Sequence, residues 1–160
     1  MPKTILFVCT GNSCRSVMAE HLMRQRLRVA SGDAPPPDYQ AVSAGLAAVD
    51  GTAPSEETVH VLRQKADIDA AGHRARRLTD QMIREAALVL AMERWHVEEI
   101  LRRVPEAGGK THLLSAFGQS SPEGGAVGEI IDPIGKPREI YEVCFATIKA
   151  AVDRMARSLT

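Results

Sequence analysis

The chain has 160 residues, 20 basic and 20 acidic side chains, and a formal net charge of zero. This balance gives no electrostatic basis for binding nucleic acid or an anionic membrane, and no apolar run approaches the length that crosses a bilayer. The composition, 44% hydrophobic and 25% charged, is typical of a globular protein, and the length suits one domain over residues 1–160. Three cysteines make no disulfide framework and we expect no signal peptide, which together favour a reduced, cytoplasmic protein.

Strand-like and helix-like segments alternate along the chain. In chain order the sequence predicts a strand at 4–8, a helix at 15–29, a loop at 31–37, a strand at 40–44, a helix at 54–66, a short helix from 79, a strand at 87–92, a helix at 94–103, a strand at 112–114, a loop at 115–131 and a helix at 138–159. Pro105 and two glycines after it are expected to stop the fourth helix. The alternation predicts an α/β fold with a four-stranded parallel sheet and helices on both faces.

One polar run joins the first predicted strand to the first predicted helix. It consists of Cys9, Thr10, Gly11, Asn12, Ser13, Cys14, Arg15 and Ser16. The amides of such a tight loop and the helix N-terminus can converge on an anion. Arg15 can hold two phosphate oxygens in a fork, and the same positive field stabilises Cys9 as a thiolate beneath them. The run therefore predicts a phosphate loop and an enzyme that removes phosphate through a phosphocysteine intermediate.

In the alternative, purely structural interpretation, Cys9 is a buried residue at the end of a strand, since free cysteines are often found in protein cores. That reading leaves Gly11, Asn12, Arg15 and Ser16 without a joint explanation. Position supports the phosphate loop, because ligands of open parallel sheets bind beyond the carboxyl ends of the strands.

Four further segments, together with the loop, carry a resemblance to a known family. They are Ser43-Ala44-Gly45, residues 72–76, residues 88–92 and Asp132-Pro133. On these residues nearly the whole chain resembles the low-molecular-weight protein tyrosine phosphatases of bacteria. The resemblance implies a cytoplasmic enzyme without cofactor or metal, monomeric, that acts on phosphorylated proteins. Inorganic phosphate, sulfate or vanadate should then compete for the loop.

The resemblance also implies roles for individual residues. Cys9 is the expected nucleophile, Arg15 the phosphate ligand, and Asp132 the acid that protonates the leaving group and then the base that activates water. Pro133 is expected to limit where the Asp132 carboxyl points, because its ring fixes the backbone. Taken alone, Asp132 would pass for an ordinary turn residue, since Asp-Pro pairs are common turn starters.

The remaining loop residues are expected to bind or shape the phosphate site. Ser16 should direct its hydroxyl at the Cys9 sulfur, and Asn12 should adopt a left-handed backbone conformation, which asparagine tolerates. In the family this asparagine is braced by a serine and a histidine, which match Ser43 and His73 here. Thr10, Gly11, Ser13 and Cys14 complete the expected substrate-binding loop.

The second loop cysteine, Cys14, raises a redox expectation. Family members with this residue form a reversible disulfide on oxidation, which here would join Cys9 to Cys14 and prevent over-oxidation. The alternative is a small residue chosen for packing. Cys144 is expected in the core. The other histidines show no metal-ligand spacing along the sequence and are expected at the surface or in the core; they are His21, His60, His96 and His112.

Several positions depart from the phosphotyrosine-directed pattern. Ile134 and Gly135 follow the Asp-Pro pair where aromatic residues are usual, and residues 47–49 lack the second aromatic wall, for which Trp95 could substitute. Ser13 stands where tyrosine-directed members carry a branched aliphatic residue and arginine phosphatases carry threonine. A hydroxyl at this position can accept a hydrogen bond from a guanidinium N–H. Phosphotyrosine on proteins is therefore the first expectation and phosphoarginine the alternative.

Two other functions compete. Arsenate reductases use a related loop but need resolving cysteines outside it, and only Cys144 is present there. A phosphoprotein-binding module without activity should have lost Cys9, Arg15 or Asp132, all of which remain.

Overall fold

The computed structural model describes residues 2–31, 38–118 and 128–159, and it contains a single mixed α/β unit. The elements in chain order are β1 (Lys3–Cys9), α1 (Arg15–Ser31), β2 (Tyr39–Gly45), α2 (Glu56–Ala66), α3 (Asp80–Glu85), β3 (Leu88–Ala91), α4 (Arg94–Arg103), a 3-10 helix (Pro105–Gly109), β4 (Thr111–Leu113) and α5 (Arg138–Leu159). Among the described residues, no helix is both long and apolar enough to span a membrane.

The four strands form one parallel sheet, as the sequence predicts, and their order in the sheet is β2-β1-β3-β4. The first strand is central and pairs with β2 from Lys3 to Cys9 and with β3 from Ile5 to Val8. Cys9 is thus the last residue of a strand that has neighbours on both sides.

Alternating side chains of β1 supply two cores, one on each face of the sheet. Ile5 and Phe7 pack in the larger core with residues of α1, α2 and α5. Leu6 and Val8 pack in the smaller core with residues of α3, β3 and α4. Successive strand residues point to opposite faces, so one apolar run fills both layers and holds helices on both sides of the sheet.

Most element bounds differ from the sequence prediction by one or two residues, and three differences bear on how the fold is described. α1 continues to Ser31, which was expected to begin a loop. Pro105 does end α4, but it also opens a 3-10 helix, because proline has no N–H to satisfy at a helix start. β4 begins one residue earlier than predicted, because Thr111 is in register with Val89 of β3. The predicted loops at 31–37 and 115–131 lie partly outside the described residues.

Candidate active site

The candidate loop lies at the carboxyl end of β1, where Cys9 ends the strand and Arg15 begins α1. Cys9 is buried, with 2% of its surface exposed, and its Sγ lies 2.9 Å from the Ser16 Oγ. A hydroxyl at this distance can donate to a thiolate. Gly11 and Thr10 occupy the half-buried outer part of the loop.

Asn12 holds the loop in shape from within. Its φ is 53°, the predicted left-handed conformation, and its side chain is fully buried. The amide nitrogen donates to Ser16 Oγ at 2.8 Å and to Ser43 Oγ at 2.9 Å, while Oδ1 accepts from the Arg76 backbone N–H at 2.9 Å. Three hydrogen bonds fix this side chain, so the shape of the loop is held by the protein's own contacts.

The residues at and just after the end of β2 also hold the loop in place. Leu46 and Ala47 donate backbone hydrogen bonds to the carbonyls of Cys9 and Thr10, at 3.0 and 2.8 Å. Gly45 lies so close that a Cβ on it would fall 2.6 Å from the Thr10 carbonyl oxygen and 2.8 Å from the Asn12 nitrogen. Only glycine permits this approach, which gives the Ser43-Ala44-Gly45 segment a physical reason.

The Arg15 side chain is buried but only partly hydrogen-bonded. Its Nη1 donates to Glu93 Oε2 at 2.6 Å and to the Ile130 carbonyl at 2.7 Å. Its Nε is buried with no hydrogen-bond partner among the described residues, and its Nη2 makes only longer contacts, 3.4 Å to Thr10 Oγ1 and 3.7 Å to Asp132 Oδ2. The Nε–Nη2 edge is therefore free for a bidentate anion while the other edge is anchored.

Glu93 and His96 are site residues that the sequence interpretation missed. Glu93 precedes α4, and its backbone N–H donates to His96 Nδ1 at 3.1 Å, while His96 Nε2 lies 3.0 Å from Thr10 Oγ1. Burial lowers the pKa of His96 to about 4, and Arg15 acts in the same direction. The neutral ring therefore accepts at Nδ1 and donates from Nε2 to Thr10. Glu93 follows the third strand directly, and this position at the sheet's carboxyl edge was the available signal.

Asp132 reaches the loop from a distant segment, with 39% of its side chain exposed. Its Oδ2 lies 3.7 Å from Arg15 Nη2, and its Oδ1 accepts from the Ile134 backbone N–H at 3.1 Å. Pro133 lies between these residues, and its carbonyl accepts from the Lys136 N–H at 2.9 Å, closing a tight turn. The turn therefore directs Oδ2 of Asp132 toward the loop, while the Ile134 N–H holds Oδ1 by a hydrogen bond.

The two loop residues between Asn12 and Arg15 face different surroundings. The Ser13 hydroxyl lies 3.7 Å from Cys14 Sγ, which is a long contact. Cys14 is buried, with its Sγ 3.3 Å from Ser55 Oγ and 3.8 Å from Tyr141 Oη. Cys9 and Cys14 are both free thiols, and the disulfide between them stays a prediction.

Cys144 is buried on α5, as predicted. Burial raises the pKa of its thiol to about 12. A protonated, buried thiol is a poor resolving cysteine, which weighs against arsenate reduction.

His73 lies beside the loop network, where a hydrogen bond to the Asn12 backbone opposes the lowering of its pKa by burial. Its Nδ1 is 3.9 Å from Glu20 Oε2, and Glu20 Oε1 accepts from Ser43 Oγ at 2.7 Å. Ser43 accepts a hydrogen bond from the Asn12 side chain, and Ser43 and His73 both face Glu20, a buried residue that the sequence interpretation missed. Glu20 stands one helical turn after Ser16 on α1, and that spacing on an inward face was the available signal.

Comparison with known proteins agrees with this geometry. A family model described as low molecular weight phosphotyrosine protein phosphatase matches residues 4–160. A relative from Geobacillus stearothermophilus, named protein-arginine-phosphatase, is 38% identical over 99% of this chain and 97% of its own length. The solved low molecular weight protein tyrosine phosphatase of T. tengcongensis is 32% identical with a TM-score of 0.87, covering 98% of this chain and 99% of that one. The tyrosine phosphatase Wzb of Escherichia coli K30, solved in complex with sulphate, is 32% identical with a TM-score of 0.82 over the full length of both chains. The chain belongs to the family of low molecular weight phosphotyrosine protein phosphatases.

Proposed function

We propose that this chain hydrolyses phosphotyrosine on proteins through a phosphocysteine intermediate. The observation that carries the proposal is the loop itself. The buried Cys9 sulfur lies 2.9 Å from Ser16 Oγ, and the buried Nε of Arg15 has no hydrogen-bond partner among the described residues. A phosphoryl group placed between them would satisfy that edge and stand in line with the sulfur.

The first chemical step transfers phosphorus to sulfur. The Cys9 thiolate attacks phosphorus while the bond between phosphorus and the phenolic oxygen breaks. The leaving oxygen takes its proton from the Asp132 carboxyl, which lies beside Arg15 and is open to solvent. Arg15 and the loop amides hold the equatorial oxygens, where negative charge is greatest.

The second step returns the enzyme to its starting state. Water gives a proton to the Asp132 carboxylate and attacks phosphorus, and the phosphorus–sulfur bond breaks. The Ser16 hydroxyl, 2.9 Å from the sulfur, stabilises the departing thiolate. Inorganic phosphate then leaves, so phosphate, sulfate and vanadate should compete with substrate.

Trp95 supports an aromatic substrate. It is 45% exposed and shares a cavity of about 420 Å³ with Leu46 and Ala47 at the end of β2. Its ring centroid lies 4.3 Å from that of His96, which contacts Thr10 of the loop. Trp95 therefore stands where it can replace the aromatic wall absent from residues 47–49.

Phosphoarginine is the second candidate, and Ser13 favours it. The Ser13 hydroxyl has only a long contact to Cys14, so it is available to accept from a guanidinium N–H. The Geobacillus relative at 38% identity carries the name of an arginine phosphatase.

A side-by-side turnover assay on matched phosphotyrosine and phosphoarginine peptides tests the proposal, with Cys9→Ser as the blank. We expect a higher kcat/KM for phosphotyrosine. Trp95→Ala should raise KM for that peptide alone, and Ser13→Val should leave it nearly unchanged. A tenfold preference for phosphoarginine that Ser13→Val removes would replace the first candidate with the second. No turnover of either peptide would refute both.

The setting proposed for this enzyme is the cytoplasm. All three cysteines are free, and a thiolate nucleophile needs a reducing compartment. We propose a monomer, as the family resemblance implies.

A further inference from the structure

The side chain of Thr10, directly after the proposed nucleophile Cys9, makes contacts that the two chemical steps do not use. Its Oγ1 lies 3.0 Å from Nε2 of His96 and 3.4 Å from Nη2 of Arg15. Among the described residues, these two are the only hydrogen-bond neighbours of the hydroxyl. The direction of each hydrogen bond therefore decides where the hydroxyl hydrogen can go.

The start of α4 fixes the tautomer of His96. The Glu93 backbone N–H donates to His96 Nδ1 at 3.1 Å, so Nδ1 must carry a lone pair. Burial, assisted by the positive charge of Arg15, lowers the pKa of His96 to about 4. The carboxylates of Glu93 and Asp132 act in the opposite direction without outweighing it. Near neutral pH the single ring hydrogen is therefore on Nε2, and His96 donates to Thr10 Oγ1.

Both neighbours of the Thr10 hydroxyl are thus donors. The Arg15 guanidinium has no acceptor atom, and His96 Nε2 carries the ring hydrogen, so both hydrogen bonds end on lone pairs of Oγ1. A hydroxyl has two lone pairs and one hydrogen, so the hydrogen of Thr10 is left without an acceptor among the described residues. The Thr10 residue is only half-buried, so a ligand in the loop can reach this donor.

The unused donor lies next to the open edge of Arg15. A phosphoryl oxygen bound to Arg15 Nη2 at about 2.9 Å can come within hydrogen-bond reach of Thr10 Oγ1, because Oγ1 is 3.4 Å from the same nitrogen. Asp132 Oδ2 also lies near this nitrogen, at 3.7 Å. The hydroxyl and the proposed acid therefore lie beside the same part of the phosphate site.

We propose that the Thr10 hydroxyl is a further substrate-binding group that donates a hydrogen bond to a phosphoryl oxygen, and that His96 is the positioning residue that orients it. His96 does not touch the substrate. It acts through Thr10, because it occupies one lone pair of Oγ1 and so restricts the directions left for the hydrogen. The proposal rests on the phosphate site of the proposed function, but it is the same for phosphotyrosine and phosphoarginine substrates.

The affinity of Cys9→Ser for inorganic phosphate, measured by isothermal titration calorimetry, tests the proposal without turnover. Adding Thr10→Val removes the hydroxyl at nearly constant volume and should weaken phosphate binding by roughly tenfold or more, because a hydrogen bond to a charged group is lost. Adding Thr10→Ser keeps the donor and should restore most of the affinity. Thr4→Val is the matched control, because Thr4 is also half-buried but lies near the other end of β1.

Two amide variants separate the two hydrogen bonds of His96. In His96→Asn the short side chain can accept from the Glu93 N–H but cannot reach Thr10, whereas the longer side chain in His96→Gln can still donate to Thr10. We expect His96→Asn to weaken phosphate binding by roughly three- to tenfold and His96→Gln to weaken it less. In the Thr10→Val background, His96→Asn should have little further effect, because no hydroxyl remains to be oriented.

Melting temperatures without phosphate show whether each variant folds, and Thr10→Ala replaces Thr10→Val if the latter does not. Lower stability of Thr10→Val with unchanged phosphate affinity would mean that the hydroxyl only supports His96, and would overturn the proposal. Equal effects of His96→Asn with and without the hydroxyl would overturn the positioning role.

The outcome is distinguishable from that of the proposed function. Cys9→Ser protein that binds no phosphate would refute the phosphate site and this proposal together. Phosphate binding that depends on Thr10 and His96 as expected, in an enzyme that turns over neither phosphopeptide, would refute the proposed function alone.

Discussion

At the scale of single residues, Asp132 carries a leaving-group prediction. We expect Asp132→Ala to slow hydrolysis of phenyl phosphate by roughly 10²–10⁴-fold, the usual contribution of a general acid. 4-Nitrophenyl phosphate should slow much less, because its leaving group needs little protonation. The measurement is kcat/KM for both esters in the same preparation, because kcat/KM reports the first step, whereas the second step, in which Asp132 is the base, is the same for both esters.

Asp132→Asn is the matched variant. It keeps an oxygen that can accept from the Ile134 N–H, so the turn survives, but it cannot supply the proton. It should follow Asp132→Ala in its dependence on the leaving group. Equal slowing of both esters would argue against Asp132 as the acid.

The close contacts of Gly45 lead to a prediction about steric overlap. A methyl group there would overlap the Thr10 carbonyl oxygen and the Asn12 nitrogen, which are backbone atoms that cannot move aside cheaply. We expect Gly45→Ala to destabilise the protein by about 1–3 kcal/mol and to reduce kcat more than tenfold. Urea unfolding and steady-state kinetics measure the two effects.

Gly108→Ala is the control, because a Cβ there meets nothing within 4 Å. It should change neither stability nor rate appreciably. A Gly45→Ala enzyme with normal activity would mean that the loop does not depend on this close approach.

The residues of the loop are readable from sequence because they are contiguous. Cys9, Asn12 and Arg15 fall within seven positions. Gly11 and Ser16 lie beside them, and this combination favours a phosphate loop over a buried strand end. The partners of these residues are not readable in the same way. Glu93 approaches Arg15 across 78 positions and His73 approaches Glu20 across the sheet edge, and packing alone decides such pairs.

At the scale of elements, the start of α4 carries a pH prediction. Buried His96 accepts from the Glu93 N–H, and its pKa is about 4 against an ordinary value of 6.5. Between these values the unfolded chain binds more protons than the folded chain, so stability rises with pH. The contribution is complete above pH 6.5 and is lost as the pH falls toward 4.

Urea unfolding from pH 4 to 7 measures this effect. At about 1.4 kcal/mol per pKa unit, His96 should account for roughly 2–3 kcal/mol of the loss. His96→Gln should show a correspondingly shallower dependence on pH, whereas His60→Gln should follow the original protein. An unchanged slope in His96→Gln would show that other groups cause the loss.

The elements themselves were largely predictable. β1 and β3 are apolar runs, and long helices such as α5 show a clear 3.6-residue period. The short β4 was misplaced by one residue because three residues contain too little pattern, and its register is set by β3. The 3-10 helix after α4 was missed because proline both ends one helix and suits the start of another.

At the scale of the whole molecule, the open edge of Arg15 predicts stabilisation by anions. Phosphate that binds only the folded chain at 100 times its dissociation constant stabilises it by about 2.7 kcal/mol, which raises the melting temperature by several degrees. Cys9→Ser should retain this shift. Arg15→Lys should lose most of it, because lysine keeps the charge but not the fork.

Chloride at the same ionic strength is the control for general salt effects. An equal shift with chloride, or a full shift in Arg15→Lys, would mean that phosphate acts elsewhere on the protein.

The position of β1 at the centre of the sheet has a consequence for synthesis. A nascent chain emerges in order from its N-terminal side, so Cys9 and Arg15 leave the ribosome before the later residues that surround them. The Ile130 carbonyl that anchors Arg15 comes 115 residues later, and Asp132 follows it. Until then, β1 also lacks its β3 neighbour. Cys9 therefore gains its assembled surroundings only after Asp132 has been translated, and a nascent chain that ends before Ile130 lacks the contacts that hold Arg15 beside the loop.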